Sequence, residues 1–296
     1  MRYVLRLSTY EENTKLNSTE HFSTPIHFAE KYHGLEAELV SFPSGTGHMI
    51  QSLQASDIDV GIGLTEGWVN GLAKFKEEAK YKIVGSYVKT PLCWAISTGV
   101  KRDVTVDSLK GGKIGVSRIG SGSYVMPFVL ADGKGWLRDS SPGKSPFEFV
   151  ELQTFEKLRK GVNDGTADSF MWEHFTSKRY WDNGDIKRIG EIYTPWASWK
   201  IVAADPKDAR VGDLLKKLNQ GIKHFNENNE EAVEYISTNL DYSAEDAREW
   251  LKTVQFEADT IIPGKEDIEK TISILGKAGL LDPDTVSIES MIENVE

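Results

Sequence analysis

Residues 112–132 of this 296-residue chain restrict its fold more than any other stretch. They begin with a short apolar run at 114–116, pass through a turn rich in glycine and serine, and end in apolar residues at helical spacing. This order predicts a buried strand, a tight turn and a helix. Free backbone N–H groups and small hydroxyls then meet at a helix N-terminus, where the helix dipole favours an anion. The turn is therefore a candidate ligand site, with an ordinary serine-capped helix start as the alternative.

The same alternation of strand and helix runs through most of the chain. Strand-like segments are predicted at 1–8, 37–42 and 58–64, and each is followed by a helical pattern. A further series covers 81–204, and residues 211–254 carry a strongly helical pattern. Apolar strands that alternate with helices predict mainly parallel sheets flanked by helices. The expected fold class is therefore α/β.

Charge and hydropathy exclude several function classes. The chain has 35 basic and 45 acidic residues, a net charge of −10, and no basic run, so nucleic acid is not an expected partner. No apolar stretch approaches the roughly 20 residues that cross a bilayer. The first residues also lack the apolar core and cleavage site of a secretory signal. We therefore expect a cytoplasmic protein without membrane insertion, for which a transport permease is not an expected partner.

Few residues suggest metal or covalent chemistry. Cys93 is the single cysteine, which excludes an internal disulfide and a metal cluster built on several cysteines. His21, His27 and His33 are spaced by six residues, which does not place them on one helix face. No catalytic-triad order or phosphate-binding glycine loop is present. The sequence therefore predicts neither a metal site nor a cofactor.

Several short motifs, in their order and spacing, resemble a known superfamily, the type II periplasmic (solute) binding proteins. Within it, the chain looks like the group that binds sulfonates, nitrate-like anions and thiamine-pyrimidine precursors, which includes the NMT1/THI5-like proteins. The motifs are AEKYHGL at 29–35, SGT at 44–46, DIDVG at 57–61, DSLKGGKIGV at 107–116, GSGS at 120–123 and ADSF at 167–170. The pyrimidine-precursor synthases carry a cysteine-rich motif that a chain with one cysteine lacks.

The resemblance implies a two-lobed type II periplasmic-binding-protein fold, with a ligand cleft between the lobes and closure by a hinge motion. Lobe I would contain residues 1–90 and 198–296, and lobe II residues 91–197. The chain would cross between the lobes near 89–93 and 195–199.

Small polar residues at two strand-to-helix turns are the first ligand-binding candidates. They are Ser44, Gly45 and Thr46 in lobe I, and Ser121, Gly122 and Ser123 in lobe II. Their hydroxyls and backbone N–H groups suit a polar or anionic head group. Arg118 lies beside the second turn, where it can pair with a carboxylate of the ligand or form a salt bridge on the lobe surface.

Acidic residues after two further strands are the next candidates. Thr65 and Glu66 follow the strand at 58–64, and Glu66 can bind an amine or amidine-like ring through a charge-assisted hydrogen bond. The alternative is that Glu66 only interacts favourably with the helix dipole. Glu173 and His174 follow the strand at 167–172, and His174 is either a titrating contact or an ordinary surface or core histidine.

Aromatic residues at predicted strand ends and crossings complete the candidate site. Tyr10, Trp172 and Trp196, together with Trp68 and Trp199, can form walls around a flat ring or a cation. The alternative is core packing, which is the commoner role of a single tryptophan. We expect at least two of the five to line the cleft.

The sequence supports two function hypotheses. In the first, the protein binds a small polar or anionic metabolite, such as a thiamine-pyrimidine-like compound, a sulfonate or a carboxylate, without covalent chemistry. In the second, it is an intracellular lyase or synthase on the same fold, with Glu66, Glu173 or His174 as general base. A buried carboxylate with a strongly raised pKa favours the enzyme. A site of hydroxyls, amides and aromatic walls favours the binding protein.

Overall fold

The computed structural model describes residues 5–10, 21–42, 45–137 and 145–295, with no side-chain description at 5–10 and 41. The chain divides into two compact units. Unit 1 consists of Met1–Thr90, Ala197–Glu269 and Val286–Glu296, and unit 2 consists of Pro91–Trp196 and Lys270–Thr285.

Residues 270–285 differ from the sequence-based division, which assigned all of 198–296 to lobe I. They group with unit 2 because they contact its helices and each other. Lys277 Nζ lies 2.9 Å from a carboxylate oxygen of Asp132. A Cβ at Gly276 would lie 2.4 Å from the Pro283 ring, so this segment also packs closely on itself.

The described residues form ten strands and eleven α-helices. The strands are β1 (Leu5–Tyr10), β2 (Ala37–Phe42), β3 (Val60–Leu64), β4 (Lys82–Val88), β5 (Cys93–Thr98), β6 (Lys113–Val116), β7 (Glu148–Glu151), β8 (Ser169–Glu173), β9 (Lys187–Tyr193) and β10 (Trp199–Ala203). The α-helices are α1 (Thr24–His33), α2 (Thr46–Ala55), α3 (Thr65–Phe75), α4 (Gly122–Gly133), α5 (Phe155–Asp164), α6 (His174–Asp182), α7 (Ala209–Glu227), α8 (Asn229–Asn239), α9 (Ala244–Leu251), α10 (Lys265–Lys277) and α11 (Ile288–Met291).

Among the described residues, each unit contains one five-stranded sheet, and the two sheets have the same plan. The strand order is β2-β1-β3-β10-β4 in unit 1 and β7-β6-β8-β5-β9 in unit 2. The first three strands in each order are parallel, and the fourth is antiparallel to both of its neighbours. The predicted α/β class with mainly parallel sheets and flanking helices is therefore confirmed.

The strand order also determines where a ligand can bind in each unit. In unit 1, β1 lies between β2 and β3. The chain passes from β1 to β2 on one side of β1, and then to β3 on its other side. In unit 2 it makes the same reversal between β6 and β8. Right-handed crossovers then place successive helices on opposite faces, which opens a crevice at the carboxyl ends of the strands on either side of the reversal. The end of β1 and the turns after β3, β6 and β8 lie at these positions.

Apolar faces of the helices cover both sheets. In unit 1, α1 and α7 pack so closely that a Cβ at Gly221 would lie 2.2 Å from the carbonyl oxygen of Pro25. In unit 2, the ring of Phe155 stacks on Trp172 at 5.1 Å and meets Tyr180 edge-on at 5.3 Å. Among the described residues, no helix has the length and hydropathy to cross a membrane.

Candidate functional site

Three serine hydroxyls meet at the turn between β6 and α4 in unit 2. Ser117 Oγ lies 3.0 Å from Ser121 Oγ and 3.2 Å from Ser123 Oγ, and the last two lie 2.9 Å apart. Ser123 Oγ also accepts a hydrogen bond from the backbone N–H of Ser117 at 3.0 Å. Ser117 and Ser123 are buried and Ser121 is half-buried. The turn therefore places a compact group of hydroxyls at the start of a twelve-residue helix.

The start of α4 lacks the side-chain cap that the sequence offered as the alternative. Ser121 occupies the N-cap position, but its side chain accepts no capping hydrogen bond. Its hydroxyl donates instead to the carbonyl oxygen of Arg118 at 2.8 Å. Gly122 follows as the first helical residue and is buried, and Arg118 is half-buried at the same turn. The positive end of the helix dipole is thus not occupied by a serine cap.

A buried carboxylate lies at the turn between β8 and α6. Glu173 is the N-cap residue of α6, and its Oε2 accepts hydrogen bonds from Thr176 N at 2.6 Å and Thr176 Oγ at 2.9 Å. Glu173 is only 8% exposed. Burial raises the pKa of Glu173 to about 7, although the hydrogen bonds to its carboxylate oppose that rise. Glu173 can therefore exchange a proton near neutral pH.

In unit 1, Thr46 connects two turns of the carboxyl edge. Its Oγ accepts a hydrogen bond from the backbone N–H of Leu64 at 3.1 Å. A Cβ at Gly67, in the first turn of α3, would lie 2.7 Å from Thr46 Cγ2. Gly45 precedes α2 with φ of 70°, a backbone conformation that favours glycine. Thr46 thus holds the start of α2 against the start of α3.

Thr65 and Glu66 are both fully buried at the start of α3. Thr65 Oγ donates to the carbonyl oxygen of Ala197 at 2.6 Å, and the Thr65 N–H donates to that of Ser198 at 3.0 Å. Thr65 therefore fixes the segment that leads into β10. Glu66 lies in the first turn of α3, where its charge interacts favourably with the helix dipole.

The structure does not describe the side chains of two predicted site residues. Tyr10 ends β1, but its side chain lies outside what the structure describes. Ser44 lies outside the described residues altogether. Gly45 and Thr46, which follow Ser44 directly, lie after β2 at the carboxyl edge of the sheet.

The four tryptophans of the aromatic group are buried, with exposed fractions between 0 and 8%. Trp172 stacks on Phe155, Trp199 stacks on Phe22 at 4.9 Å, and Trp68 meets Tyr81 edge-on at 5.5 Å. Trp196 is 2% exposed. Its carbonyl oxygen accepts a hydrogen bond from Thr194 Oγ at 3.0 Å, and the same hydroxyl accepts one from the Leu92 N–H at 2.9 Å. These environments favour core packing for Trp68, Trp172 and Trp199.

Sequence reasoning missed a buried ion pair at the same edge of the unit 1 sheet. Lys200, near the start of β10, is fully buried, and its Nζ donates to Asp267 Oδ2 at 2.9 Å and to Ser86 Oγ at 2.8 Å. Burial lowers the pKa of Lys200, and Asp267 opposes that effect. The sequence did contain an indication of this pair, namely a lysine within the otherwise apolar strand WKIVA. A cation buried in such a strand needs a partner of opposite charge.

Comparison with known proteins identifies similar chains. Residues 94–192 match a family model described as a Ca3427-like PBP. The structure of the Candida albicans CA3427 gene product, described as defining a new family with the generic periplasmic binding protein fold, is 40% identical to this chain. The alignment covers 100% of this chain and 97% of that one, with a TM-score of 0.84. No curated protein sequence matches the chain significantly.

Two more distant structures share the fold. The periplasmic aliphatic sulphonate binding protein SsuA of Escherichia coli is 16% identical, with coverage of 100% of this chain and 94% of its own and a TM-score of 0.67. The periplasmic nitrate-binding protein NrtA of Synechocystis is 15% identical, with coverage of 95% and 83% and a TM-score of 0.68. At these identities the similarity concerns the fold alone.

Proposed function

Because this chain belongs to the Ca3427-like family of proteins with the periplasmic binding protein fold, we propose that it binds a small polar or anionic metabolite. Sulfonates, small carboxylates and thiamine-pyrimidine-like compounds are the candidate ligands. The observation that carries the proposal is the group of hydroxyls of Ser117, Ser121 and Ser123 at a helix start without a side-chain cap.

The physical argument concerns an anionic or strongly polar head group at this turn. Hydroxyls and backbone N–H groups at a helix N-terminus offer several donors to one acceptor group. Hydrogen bonds to a charged group contribute roughly 1.5–3 kcal/mol each. Arg118 is half-buried at the turn and adds a guanidinium that suits carboxylate or sulfonate oxygens. The turn therefore favours an anion over a cation.

The proposal includes a contribution from unit 1 and closure by a hinge motion. Gly45, Thr46, Thr65 and Glu66 occupy the corresponding edge of the unit 1 sheet, at the ends of β2 and β3. We propose that one ligand contacts both units and that binding favours the closed arrangement. A ligand that decreases the radius of gyration in small-angle scattering supports this part, and a ligand that binds without such a change contradicts it.

A thermal-shift screen tests the ligand class. The panel contains alkyl sulfonates, nitrate, mono- and dicarboxylates, thiamine and its pyrimidines. A ligand at one hundred times its Kd stabilises the folded state by about 2.7 kcal/mol, a readily measured increase in Tm. We expect Ser121→Ala and Ser123→Ala to abolish the increase for an anionic ligand. No increase with any compound in the panel would contradict the proposed ligand classes.

Ser169→Ala is the matched control for these serine variants. Ser169 belongs to the same unit, is fully buried on β8, and has an Oγ with no hydrogen-bond partner among the described residues. Its removal should leave ligand stabilisation unchanged. An equal loss in Ser169→Ala would show that the Ser121 and Ser123 effects come from weakened folding rather than from the ligand site.

A second candidate function, general-base catalysis on the same ligand, is favoured by one observation. The pKa of Glu173 is raised to about 7, which is the range in which a carboxylate can both accept and release a proton. Each stabilising ligand is therefore incubated with the protein and followed by NMR. Conversion that stops in Glu173→Gln, while binding persists, supports the enzyme. Ligands that remain unchanged in stoichiometric protein contradict it.

A further inference from the structure

Three different metal-ligand side chains converge in unit 2. Cys93 begins β5, Glu191 lies near the end of β9, and His174 is the first residue of α6. Strand β5 lies between β8 and β9, so the start of β5, the end of β9 and the end of β8 share one edge of the sheet. Among the described residues, this is the cluster whose donor atoms lie close enough to share one ion, all within 4.8 Å of one another.

The Cys93 sulfur is at long hydrogen-bond distance from the other two donor atoms, and all three atoms are also close enough to share one ion. Cys93 Sγ lies 3.7 Å from His174 Nδ1 and 3.7 Å from Glu191 Oε2, and the last two atoms lie 3.9 Å apart. The nitrogen-to-oxygen distance is too long for a hydrogen bond. In a tetrahedral zinc site, ligand atoms of these types lie about 3.4–3.6 Å apart, as calculated from the usual Zn–S, Zn–N and Zn–O bond lengths. The observed triangle is only slightly larger.

The triangle also has room for the ion itself. Its three edges are nearly equal, so an ion out of the plane at tetrahedral angles would lie about 2.3 Å from all three donor atoms, which is the usual Zn–S length and about 0.1–0.3 Å longer than the Zn–N and Zn–O lengths. We propose that Cys93 Sγ, His174 Nδ1 and Glu191 Oε2 bind one divalent metal ion of the zinc class, with the fourth coordination position open to water or another ligand.

The identity of the donors determines the class of metal. Thiolate and imidazole favour borderline ions such as Zn²⁺ or Co²⁺ over Mg²⁺ and Ca²⁺, which prefer oxygen. A thiolate and a carboxylate would neutralise the charge of one divalent ion. In the absence of metal, burial raises the pKa of the Cys93 thiol to about 12. Metal binding must therefore displace the thiol proton, and the ion provides the positive charge that stabilises the thiolate.

Two neighbouring side chains modify the site. The guanidinium of Arg188 contacts Glu191 Oε2, the same oxygen that would bind the metal. The hydroxyl of Tyr193 lies 3.4 Å from the other carboxylate oxygen of Glu191 and is part of an exposed face. Arg188 is therefore a competing cation. We expect its replacement by glutamine to increase metal affinity, whereas loss of any of the three donors decreases it.

Cobalt titration of the tag-free, full-length protein tests the proposal. We expect one equivalent of Co²⁺ to produce the intense visible bands of tetrahedral cobalt and a thiolate-to-cobalt charge-transfer band in the near ultraviolet. Cys93→Ser should remove the charge-transfer band. His174→Gln and Glu191→Gln should each weaken affinity by at least about tenfold, since even loss of an outer partner of a metal ligand costs 10–100-fold. Zinc should displace the cobalt.

His224→Gln is the matched control. His224 Nε2 lies 2.8 Å from Glu231 Oε2, and this histidine–glutamate pair has exposure similar to that of His174 and Glu191 but no cysteine beside it. Affinity and spectrum should not change in this variant. The proposal is overturned by an octahedral spectrum, by affinity that Cys93→Ser leaves unchanged, or by no binding of one equivalent. Far-ultraviolet circular dichroism confirms that each variant is folded, and none of these outcomes depends on the ligand at the serine turn.

Discussion

Unit 1 and unit 2 have the same sheet plan but different chemistry at the same edge. In each sheet, three parallel strands are followed by one antiparallel strand and then a final strand. The antiparallel strand of unit 1, β10, carries the buried Lys200. That of unit 2, β5, begins with Cys93, which lies near His174 and Glu191. The shared topology places these side chains at one edge, and the residue types determine what each edge can bind.

The turns after the third parallel strand show the same contrast. In unit 1, Thr65 and Glu66 begin α3, and Thr65 binds the backbone that leads into β10. In unit 2, Glu173 is itself the N-cap of α6 and binds Thr176. The residues at the unit 1 edge therefore connect segments of that unit, whereas the same edge of unit 2 carries a titrating carboxylate and a group of hydroxyls. This difference favours unit 2 as the source of ligand specificity.

The largest expected effect concerns the two ion pairs that anchor the sheets. Asp267→Ala leaves Lys200 buried without its carboxylate, which should cost about 3–5 kcal/mol of unfolding free energy. Asp168→Ala in unit 2 removes a partner of Arg102 in a pair whose side chains are about 30% exposed, and should cost only about 1 kcal/mol. Urea unfolding of both variants measures the difference. Equal costs would contradict the distinction between a buried and a partly exposed ion pair.

The next effect is the pH dependence caused by Glu173. Burial raises its pKa from 4.5 to about 7 in the folded state, so the folded protein holds this proton more tightly than the unfolded chain. Its contribution to stability is present below pH 4.5 and is lost as the pH rises through about 7, by roughly 3 kcal/mol at most. We expect Glu173→Gln to flatten the stability profile over that range.

Glu148→Gln, an exposed position on β7 of the same sheet, serves as the comparison for Glu173→Gln. It should leave the wild-type profile between pH 4.5 and 7 unchanged. A Glu173→Gln protein whose stability still falls over this range would show that another group is responsible.

A smaller effect is expected from two helix glycines. Gly221→Ala in α7 should destabilise unit 1 by about 1–3 kcal/mol, because the new Cβ would lie 2.2 Å from the Pro25 carbonyl oxygen. Gly133→Ala at the end of α4 should be neutral or stabilise unit 2 by up to about 1 kcal/mol, since nothing lies within 4 Å of its Cβ position. Chemical denaturation, with the m-value unchanged, measures the change in unfolding free energy of both variants. A destabilising Gly133→Ala would indicate that the end of α4 needs glycine.

The smallest expected effect concerns helix caps, which should act alike in both units. Thr154 Oγ accepts the Lys157 N–H at the start of α5, and Ser243 Oγ accepts the Asp246 N–H at the start of α9. Thr154→Ala and Ser243→Ala should each cost about 1 kcal/mol, and replacement by aspartate should retain the stability. Thermal unfolding checks this equality. A cost well above 2 kcal/mol in either variant would mean that the cap has a further structural role.

Local patterns predicted the fold class and the serine turn because both depend on neighbouring residues. Glycine, serine and the apolar spacing around residues 112–132 lie within one segment, and the turn forms where they indicate. The direction of the Ser121 hydroxyl could not be predicted, since it depends on the Arg118 carbonyl. The resemblance to type II periplasmic binding proteins is confirmed at the level of fold and family, whereas the ligand, the site residues and the cellular location stay predictions.

Contacts between distant segments could not be predicted from the sequence. Lys200 pairs with Asp267, and Cys93 meets His174 and Glu191, only because the strand order brings these segments together. Periodicity predicts that a strand exists but not which strand lies beside it. The antiparallel strand within each sheet was unexpected for the same reason.

The position of β10 in its sheet has a consequence for synthesis of the chain. Strand β10 lies between β3 and β4, yet it follows β4 in sequence only after the whole 91–196 segment of unit 2. While the ribosome makes that segment, the facing edges of β3 and β4 have no partner, and such edges invite pairing with other chains. Pairing of these two edges must therefore wait until Trp199 and the rest of β10 have been made.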